Sequence, residues 1–212
     1  MDDLFSYLTV GGETLKTQVA MDSTLQALAQ ASDYEFNGES SFKVPSMIPP
    51  QKFKLGLIVG GSGTGKTRLL NHFGSQKTLT WEAHKAVASQ VSPDSLMRIG
   101  LSSIPSLCKP YHVLSEGEKH RADIARSIEE GGCVIDEFTS VVHRKLARSI
   151  CFGVKSMIDK RENAQLVLAT CHEDVARWIN PCWVFNTSTG RLVEGGEREE
   201  VNLRMFPSSP KA

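Results

Sequence analysis

The chain of 212 residues carries no surplus of charge of either sign, no long apolar run and no set of cysteines that could pair off. Lys+Arg and Asp+Glu both number 24, so nothing argues for an overall electrostatic grip on nucleic acid, although a local basic face stays open. No apolar stretch approaches the roughly 20 residues that span a bilayer. The acidic N-terminus "MDDLFSYLTV" lacks the apolar core of a secretory signal. Cys108, Cys133, Cys151, Cys171 and Cys182 are odd in number and include no C-x-x-C pair. They read as reduced thiols of a cytoplasmic protein, small and buried by default. The histidines show no metal-ligand spacing, and no internal repeat is visible. A chain of this size holds one domain with a sizeable core but not two comfortable ones.

What is present alternates. "FSYLTVGGETL" reads as strand, turn, strand, and "DSTLQALAQA" as a short helix capped by Asp22 or Ser23. "VPSMIPP" is a proline-punctuated connector. "KFKLGLIVGG" is a buried strand ending in glycines. After it come helical "RLLNHF", short strands "TLTW" and "AVASQV", a helix in "SPDSLMRIGL" and another in "GEKHRADIARSIEE". Then follow strand "CVIDEF", a long helix "HRKLARSICFGVKSMID", strand "QLVLATC" and helix "EDVARWI". "CWVFNTSTGRLVEGG" closes as a hairpin with Gly190 at the turn position that needs freedom in φ. The order predicts an α/β fold with a mainly parallel central sheet, flanking helices, an antiparallel β portion and a small helical lobe. Residues 1–33 are expected to be an extension, 34–197 the main domain and 198–212 a loose tail.

"GGSGTGKT", Gly60 to Thr67, fits G-x-x-x-x-G-K-[ST] between a strand and a helix. Gly60, Gly61, Gly63 and Gly65, with Ser62 and Thr64, let the backbone wrap phosphate oxygens so that amide N–H groups point inward. Lys66 is suited to reach the β- and γ-phosphates and Thr67 to offer its hydroxyl to Mg²⁺, with Arg68 beside them. ATP and Mg²⁺ are the expected ligands. "CVIDEF" ends an apolar strand in two carboxylates. Asp136 is the candidate magnesium ligand, and Glu137 the candidate base that polarises an attacking water.

"LSEGEKHRADIAR" contains a capping box, with Ser115 at the N-cap and Glu118 three residues on. Taken in order, the loop at Gly60, this Ser-Gly turn, "VIDEF" and the histidine after "LVLATC" resemble the ATP-binding-cassette (ABC) ATPases. The resemblance runs from about Phe36 to Gly196 and implies a P-loop ATPase. It also implies a head-to-tail homodimer formed on ATP, in which Ser115 and the amide of Gly117 cap the γ-phosphate held by the other copy. His172 would hydrogen-bond that phosphate and hold water in register. Gln90 is the best match to the loop glutamine that touches Mg²⁺ or water, and fits a solvated strand end equally well. An adenine-stacking aromatic is expected upstream of Gly60, with Phe36, Phe42 and Phe53 all suitable by type.

Two features depart from the family pattern. Glu116 and Glu118 replace Gly and Gln in the signature turn, and His143 stands where the family usually has Asp. Glu118 is similar to the chromosome-maintenance and break-repair branch. The lobe between Lys66 and Ser115 is short compared with transporter cassettes. These features suggest an ATP-gated ATPase working with nucleic-acid processing or modification machinery. The alternatives are a nucleotide-binding subunit of a membrane transporter, a P-loop small-molecule kinase, or a switch that barely hydrolyses ATP.

Overall fold

The computed structural model describes residues 9–195. The first described elements are β1 (Thr14–Gln18), α1 (Ser23–Ala31) and β2 (Glu39–Lys43). The two strands form an antiparallel ribbon with Leu15 opposite Phe42. The second strand expected in "FSYLTVGGETL" is β1, which pairs with β2, while most of the first lies outside the described residues and Val10 bridges Met47. A Cβ on Gly11 would lie 2.1 Å from the Pro45 carbonyl oxygen. The glycine therefore serves a close crossing of two segments. Asp22 caps α1, its Oδ1 accepting from the Leu25 N–H at 2.8 Å, and the helix buries no residue. The ribbon's pairing spans position 33. The expected tail at 198–212 lies outside the described residues.

The central sheet begins with β3 (Leu55–Val59), followed by the short helix α2 (Lys66–Leu70). A small helical lobe holds α3 (Pro93–Arg98) and α4 (Ile104–Leu107). Beyond it lie α5 (Glu116–Glu129), β4 (Val134–Ile135), α6 (Arg144–Asp159), β5 (Leu166–Thr170), α7 (Val175–Ile179), β6 (Trp183–Asn186) and β7 (Arg191–Glu194). The strand order is β4-β5-β3-β6-β7. All neighbours are parallel except β7, the antiparallel arm of the closing hairpin. Gly190 sits in that hairpin's turn at φ +67°. The α/β class with a mainly parallel sheet is thus the observed one.

Every residue of β3 and β5 is buried, as a parallel sheet covered on both faces requires. The faces divide with the strand period of two. Leu55, Leu57, Val59, Leu166, Leu168 and Val184 join the core under α3, α5, α6 and α7. Ile58, Val167, Ala169, Trp183 and Phe185 join a second core with Leu69 and Leu70 of α2. Gly56 makes room for the Trp183 indole, whose Cζ2 would lie 2.1 Å from a Cβ there. Gly153 lets α6 approach α3 so closely that a Cβ would stand 2.0 Å from the Arg98 carbonyl oxygen.

Two expected strands are absent. "TLTW" has no regular structure, and "AVASQV" holds a 3₁₀ turn at Val87–Ser89. Trp81 instead leaves its own segment to stack on Tyr111, with ring centroids 4.6 Å apart. Val87 is fully buried in the main core beneath that turn. The alternation that suggested strands comes from single apolar anchors in a loop.

Because β3, β4, β5 and β6 run parallel, their C-terminal ends open on one edge of the sheet. The segments beginning at Gly60, Asp136, Cys171 and Thr187 all leave from that edge, the usual place for a ligand crevice in such a sheet.

Candidate functional site

The phosphate-loop segment is shaped by glycines. Gly60, Gly63 and Gly65 adopt φ of +153°, +76° and +91°, a region that favours glycine. Gly60 has a second reason: a Cβ would lie 2.1 Å from Thr187 Oγ1. The hairpin turn after β6 therefore packs directly on the loop. Thr64 Oγ1 and Thr187 Oγ1 are 2.6 Å apart, Thr187 Oγ1 donates to Val59 O at 3.1 Å, and Ser188 Oγ accepts from the Gly61 N–H at 3.3 Å. Lys66 is buried, with Nζ donating to Gly61 O at 2.7 Å. Its ammonium is folded into the concavity of its own loop. Ser62, Thr67 and Arg68 are exposed.

Across the edge, Thr67 Oγ1 donates to Asp136 Oδ2 at 2.6 Å. Asp136 Oδ1 accepts from the Glu137 N–H at 2.9 Å. Glu137 is exposed and adopts φ +48°, costly for a residue with a Cβ and a recurrent feature of functional positions. The next loop brings His172 to Thr139: Thr139 Oγ1 lies 2.8 Å from His172 Nδ1 and 2.8 Å from Thr170 Oγ1. Burial, and then the Arg144 cation, push His172 below the usual imidazole value, against the opposing pull of Glu137. The imidazole is therefore neutral near pH 7. Arg144 itself pairs with Asp174 and lies 4.9 Å over the Trp178 ring.

The Ser-Gly turn stands apart. Ser115 is the N-cap of α5, and Glu118 Oε2 accepts from its N–H at 2.9 Å and from its hydroxyl at 2.8 Å. The same carboxylate accepts from Ser106 Oγ at 2.6 Å. The Ser106 hydrogen bond first, and those of Ser115 next, hold the Glu118 carboxyl down to about 2. Among the described residues, no hydrogen bond joins Ser115 or Gly117 to the phosphate loop of the same chain. His143 caps α6, its Nδ1 accepting from the Leu146 N–H at 3.4 Å.

Gln90 requires a correction. Its Oε1 accepts from the Glu82 N–H at 2.8 Å, and its Nε2 donates to Glu82 O and Lys85 O at 3.2 and 3.1 Å. The amide closes its own loop, and among the described residues no hydrogen bond joins it to Thr67 or Asp136. The carboxamide that does line a cleft with Asp136 and Glu137 is Gln76. Of the three aromatics, Phe53 is core, edge-on to Trp183 at 5.3 Å. Phe36 stacks with Tyr34 at 6.1 Å. Phe42 lies against the loop, its Cε1 3.0 Å from where a Gly65 Cβ would stand.

Sequence reasoning passed over Thr139, Thr170, Thr187 and Ser188. A hydroxyl at the end of an apolar strand or within four residues of it is a weak signal on its own. Their contacts span 31, 33, 123 and 127 positions, so only the assembled sheet edge brings them to their partners.

Neither a protein-family model nor a curated protein sequence matches the chain. Solved structures do. A post-hydrolysis dimer of the ATP-binding cassette MJ0796, bound to ADP and Pi, superposes with a TM-score of 0.57 at 14% identity. The match covers 90% of this chain and 100% of that one. A second dimeric structure of MJ0796, described as a bacterial ABC transporter cassette, matches at TM-score 0.56 and 13% identity over the same shares. The chain has the fold of an ATP-binding-cassette ATPase.

Proposed function

We propose that this chain binds Mg²⁺–ATP in the loop from Gly60 to Thr67 and hydrolyses it, two copies closing head to tail on the nucleotide. The observation that carries the reading is the 2.6 Å hydrogen bond between Thr67 Oγ1 and Asp136 Oδ2, which unites the phosphate loop with the carboxylate end of β4. A hydroxyl and one carboxylate are hard oxygen donors, and Mg²⁺ is typically held by one or two carboxylates plus substrate phosphates. No cluster of three His, Cys, Asp or Glu suited to a metal exists among the described residues, which fits a cation completed by phosphate. Thr67 and Asp136 would hold it, and when bound it neutralises charge on the transferring phosphate.

The chain's own groups divide the remaining work. Lys66 exchanges the Gly61 carbonyl for β- and γ-phosphate oxygens, filling the concavity with charge-assisted hydrogen bonds. Glu137, exposed beside Asp136, orients water and accepts its proton. His172 donates to the terminal phosphate. Ser115 and Gly117 belong to the opposite copy's site, in keeping with the absence, among the described residues, of a hydrogen bond between them and the loop of their own chain. For Ser115 to donate across the dimer its hydroxyl must leave Glu118, so closing includes a local rearrangement of that turn.

Two readings of the biological role remain distinct. The two short helices of the lobe, α3 and α4, favour an ATP-gated switch acting on a protein or nucleic-acid-processing partner. The likeness to a bacterial ABC transporter cassette favours a subunit docked on a separate permease. No described helix is long and apolar enough to cross a membrane. Co-purification with a membrane protein selects the second.

The test of the ATPase reading is Mg²⁺-dependent phosphate release without an added acceptor, alongside light scattering of the Glu137→Gln variant. We expect turnover in the parent chain, and an ATP-dependent dimer that does not turn over in the variant. A variant that stays monomeric in saturating Mg²⁺–ATP overturns the shared site. ADP formation that requires a small-molecule acceptor, with the phosphoryl group found on that acceptor and no free phosphate released, makes the protein a kinase.

A further inference from the structure

We propose that Thr139 and Thr170 are positioning residues that lock His172 in the tautomer carrying its proton on Nε2, leaving that N–H as the donor to the terminal phosphate. The inference rests on the ATPase reading for its consequence, but not for its geometry.

Three polar atoms form the relay. Thr139 Oγ1 lies 2.8 Å from Thr170 Oγ1 and 2.8 Å from His172 Nδ1. Thr170 Oγ1 also accepts from the backbone N–H of His172 at 3.2 Å. Thr139 is 0% exposed and Thr170 1%, so water does not reach either hydroxyl. Among the described residues neither hydroxyl has any other partner.

Counting hydrogens decides the direction of the relay. Each threonine brings one hydroxyl hydrogen and the neutral ring brings one, on Nδ1 or on Nε2. If Nδ1 carries it, the ring donates to Thr139. Thr139 must then donate to Thr170, whose own hydrogen faces no acceptor, or else accept from both neighbours and strand its own. Both alternatives leave a buried donor unpaired, which native interiors avoid. If Nε2 carries it, Thr170 donates to Thr139, Thr139 donates to Nδ1, and every hydrogen is used. Thr170 can donate to Thr139 while its oxygen accepts the His172 N–H.

The surroundings keep the ring neutral. Arg144 and the burial of the ring both disfavour a second proton, while Glu137 alone among the nearby charges favours one. A neutral ring with Nδ1 occupied has one hydrogen left to give. Thr139 thus acts through His172 and touches no substrate. The consequence is a chain of fixed donors, from Thr170 at the end of β5 through Thr139 beyond β4 to the ring.

The experiment is a two-bond ¹⁵N–¹H correlation spectrum of the ¹⁵N-labelled full chain at about pH 8, above the ordinary imidazole pKa. The His172→Gln variant assigns the ring signals by their loss. We expect an unprotonated Nδ1 and a protonated Nε2 in the parent chain. The Thr139→Val variant should give a mixture of tautomers, and Thr139→Ser should restore the parent pattern. Turnover should follow: kcat roughly tenfold lower in Thr139→Val with KM for ATP little changed, the pattern of a lost transition-state contact, and near parent in Thr139→Ser. A protonated Nδ1 in the parent, or a tautomer unmoved by Thr139→Val, overturns the inference even if ATP is hydrolysed. A parent chain with no ATPase activity defeats the ATPase reading instead, and the spectrum still decides the tautomer.

Discussion

Thr67 and Asp136, 69 positions apart in the chain, meet in a hydrogen bond of 2.6 Å between Oγ1 and Oδ2. Nothing in either local segment requires that meeting; it follows from β3 and β4 both flanking β5 in one parallel sheet. A hydroxyl and a carboxylate brought this close are hard oxygen donors of the kind Mg²⁺ takes, and the proposed cation would draw on both.

Asp136→Asn should therefore weaken ATP binding in the presence of Mg²⁺ while leaving binding in chelator unchanged. The expected loss is about 10- to 100-fold, the scale of one hydrogen bond to a charged group. Titration of a fluorescent ATP analogue with and without Mg²⁺ measures both arms. Equal weakening in both arms would mean that Asp136 supports the loop and holds no cation.

Glu118 makes a prediction about acid. Its carboxyl lies at about 2, first because Ser106 donates to it and then because Ser115 does. A depressed carboxylate stabilises the fold above its unfolded pKa and stops doing so as pH falls through its folded one. The contribution is complete above about pH 5 and gone near pH 2. Glu118→Gln should cost roughly 1–2 kcal/mol at pH 7, and the gap to the parent should shrink at about pH 3. Urea melts at the two pH values check it. A gap independent of pH would mean that packing, not ionisation, sets the contribution.

Much of the fold was legible because its strands are unbroken apolar runs. "LGLIV" and "LVLAT" are buried at every position, and a glycine loop or a carboxylate pair marks where β3 and β4 end. α5 was legible from Ser115 and Glu118, a local cap. "AVASQV" misled because Val87 and Val91 are both buried in the main core although a 3₁₀ turn lies between them; two apolar anchors flanking a turn look like one short strand. Gln90 was placed at a strand end by that reading, whereas its amide closes a turn of nine residues, Glu82 to Gln90, that composition does not announce. Thr139, Thr187 and Ser188 were hidden because each acts on a group more than 30 positions away.

Thr187 tests whether the closing hairpin supports the phosphate loop. Its hydroxyl donates to Val59 O at 3.1 Å and lies 2.6 Å from that of Thr64. Thr187→Val keeps the shape and deletes the hydroxyl in a buried position. We expect KM for ATP to rise about three- to tenfold, with the stability loss near 1 kcal/mol, typical of one hydrogen bond. Steady-state kinetics beside a denaturant melt separate the two. An unchanged KM would confine Thr187 to holding β6 in place.

Gly153 is the steric hinge of the helical lobe. A Cβ there would stand 2.0 Å from Arg98 O and 3.2 Å from Ile99 N, and backbone cannot step aside as a side chain does. Gly153→Ala must push α3 from α6, at a cost of about 1–3 kcal/mol or more, as for other overpacked sites. The gain in helix propensity, about 1 kcal/mol, offsets only part of it. Thermal melting decides the sign; a more stable variant would show that α3 has room to move.

Asp123 joins the segment after α2 to the helix that begins at Ser115. Its carboxylate accepts from Trp81 Nε1 at 3.0 Å and from the Tyr111 hydroxyl at 2.7 Å. The two rings stack at 4.6 Å, and Arg126 lies 4.5 Å over Trp81. Burial first, and Asp123 second, push the Tyr111 phenol well above its ordinary value. A phenol held neutral stabilises the fold below its unfolded pKa of about 10, and the contribution falls away as pH rises beyond it. Asp123→Ala strands two partly buried donors, so it should cost about 2–4 kcal/mol at pH 7. It should also lower the Tyr111 pKa, leaving the phenol easier to titrate by ultraviolet absorbance. If the stack is what carries movement from the cleft to Ser115, the variant should bind ATP near normally yet dimerise poorly. Normal ATP-dependent dimerisation would make the stack a fastening of the lobe and nothing more.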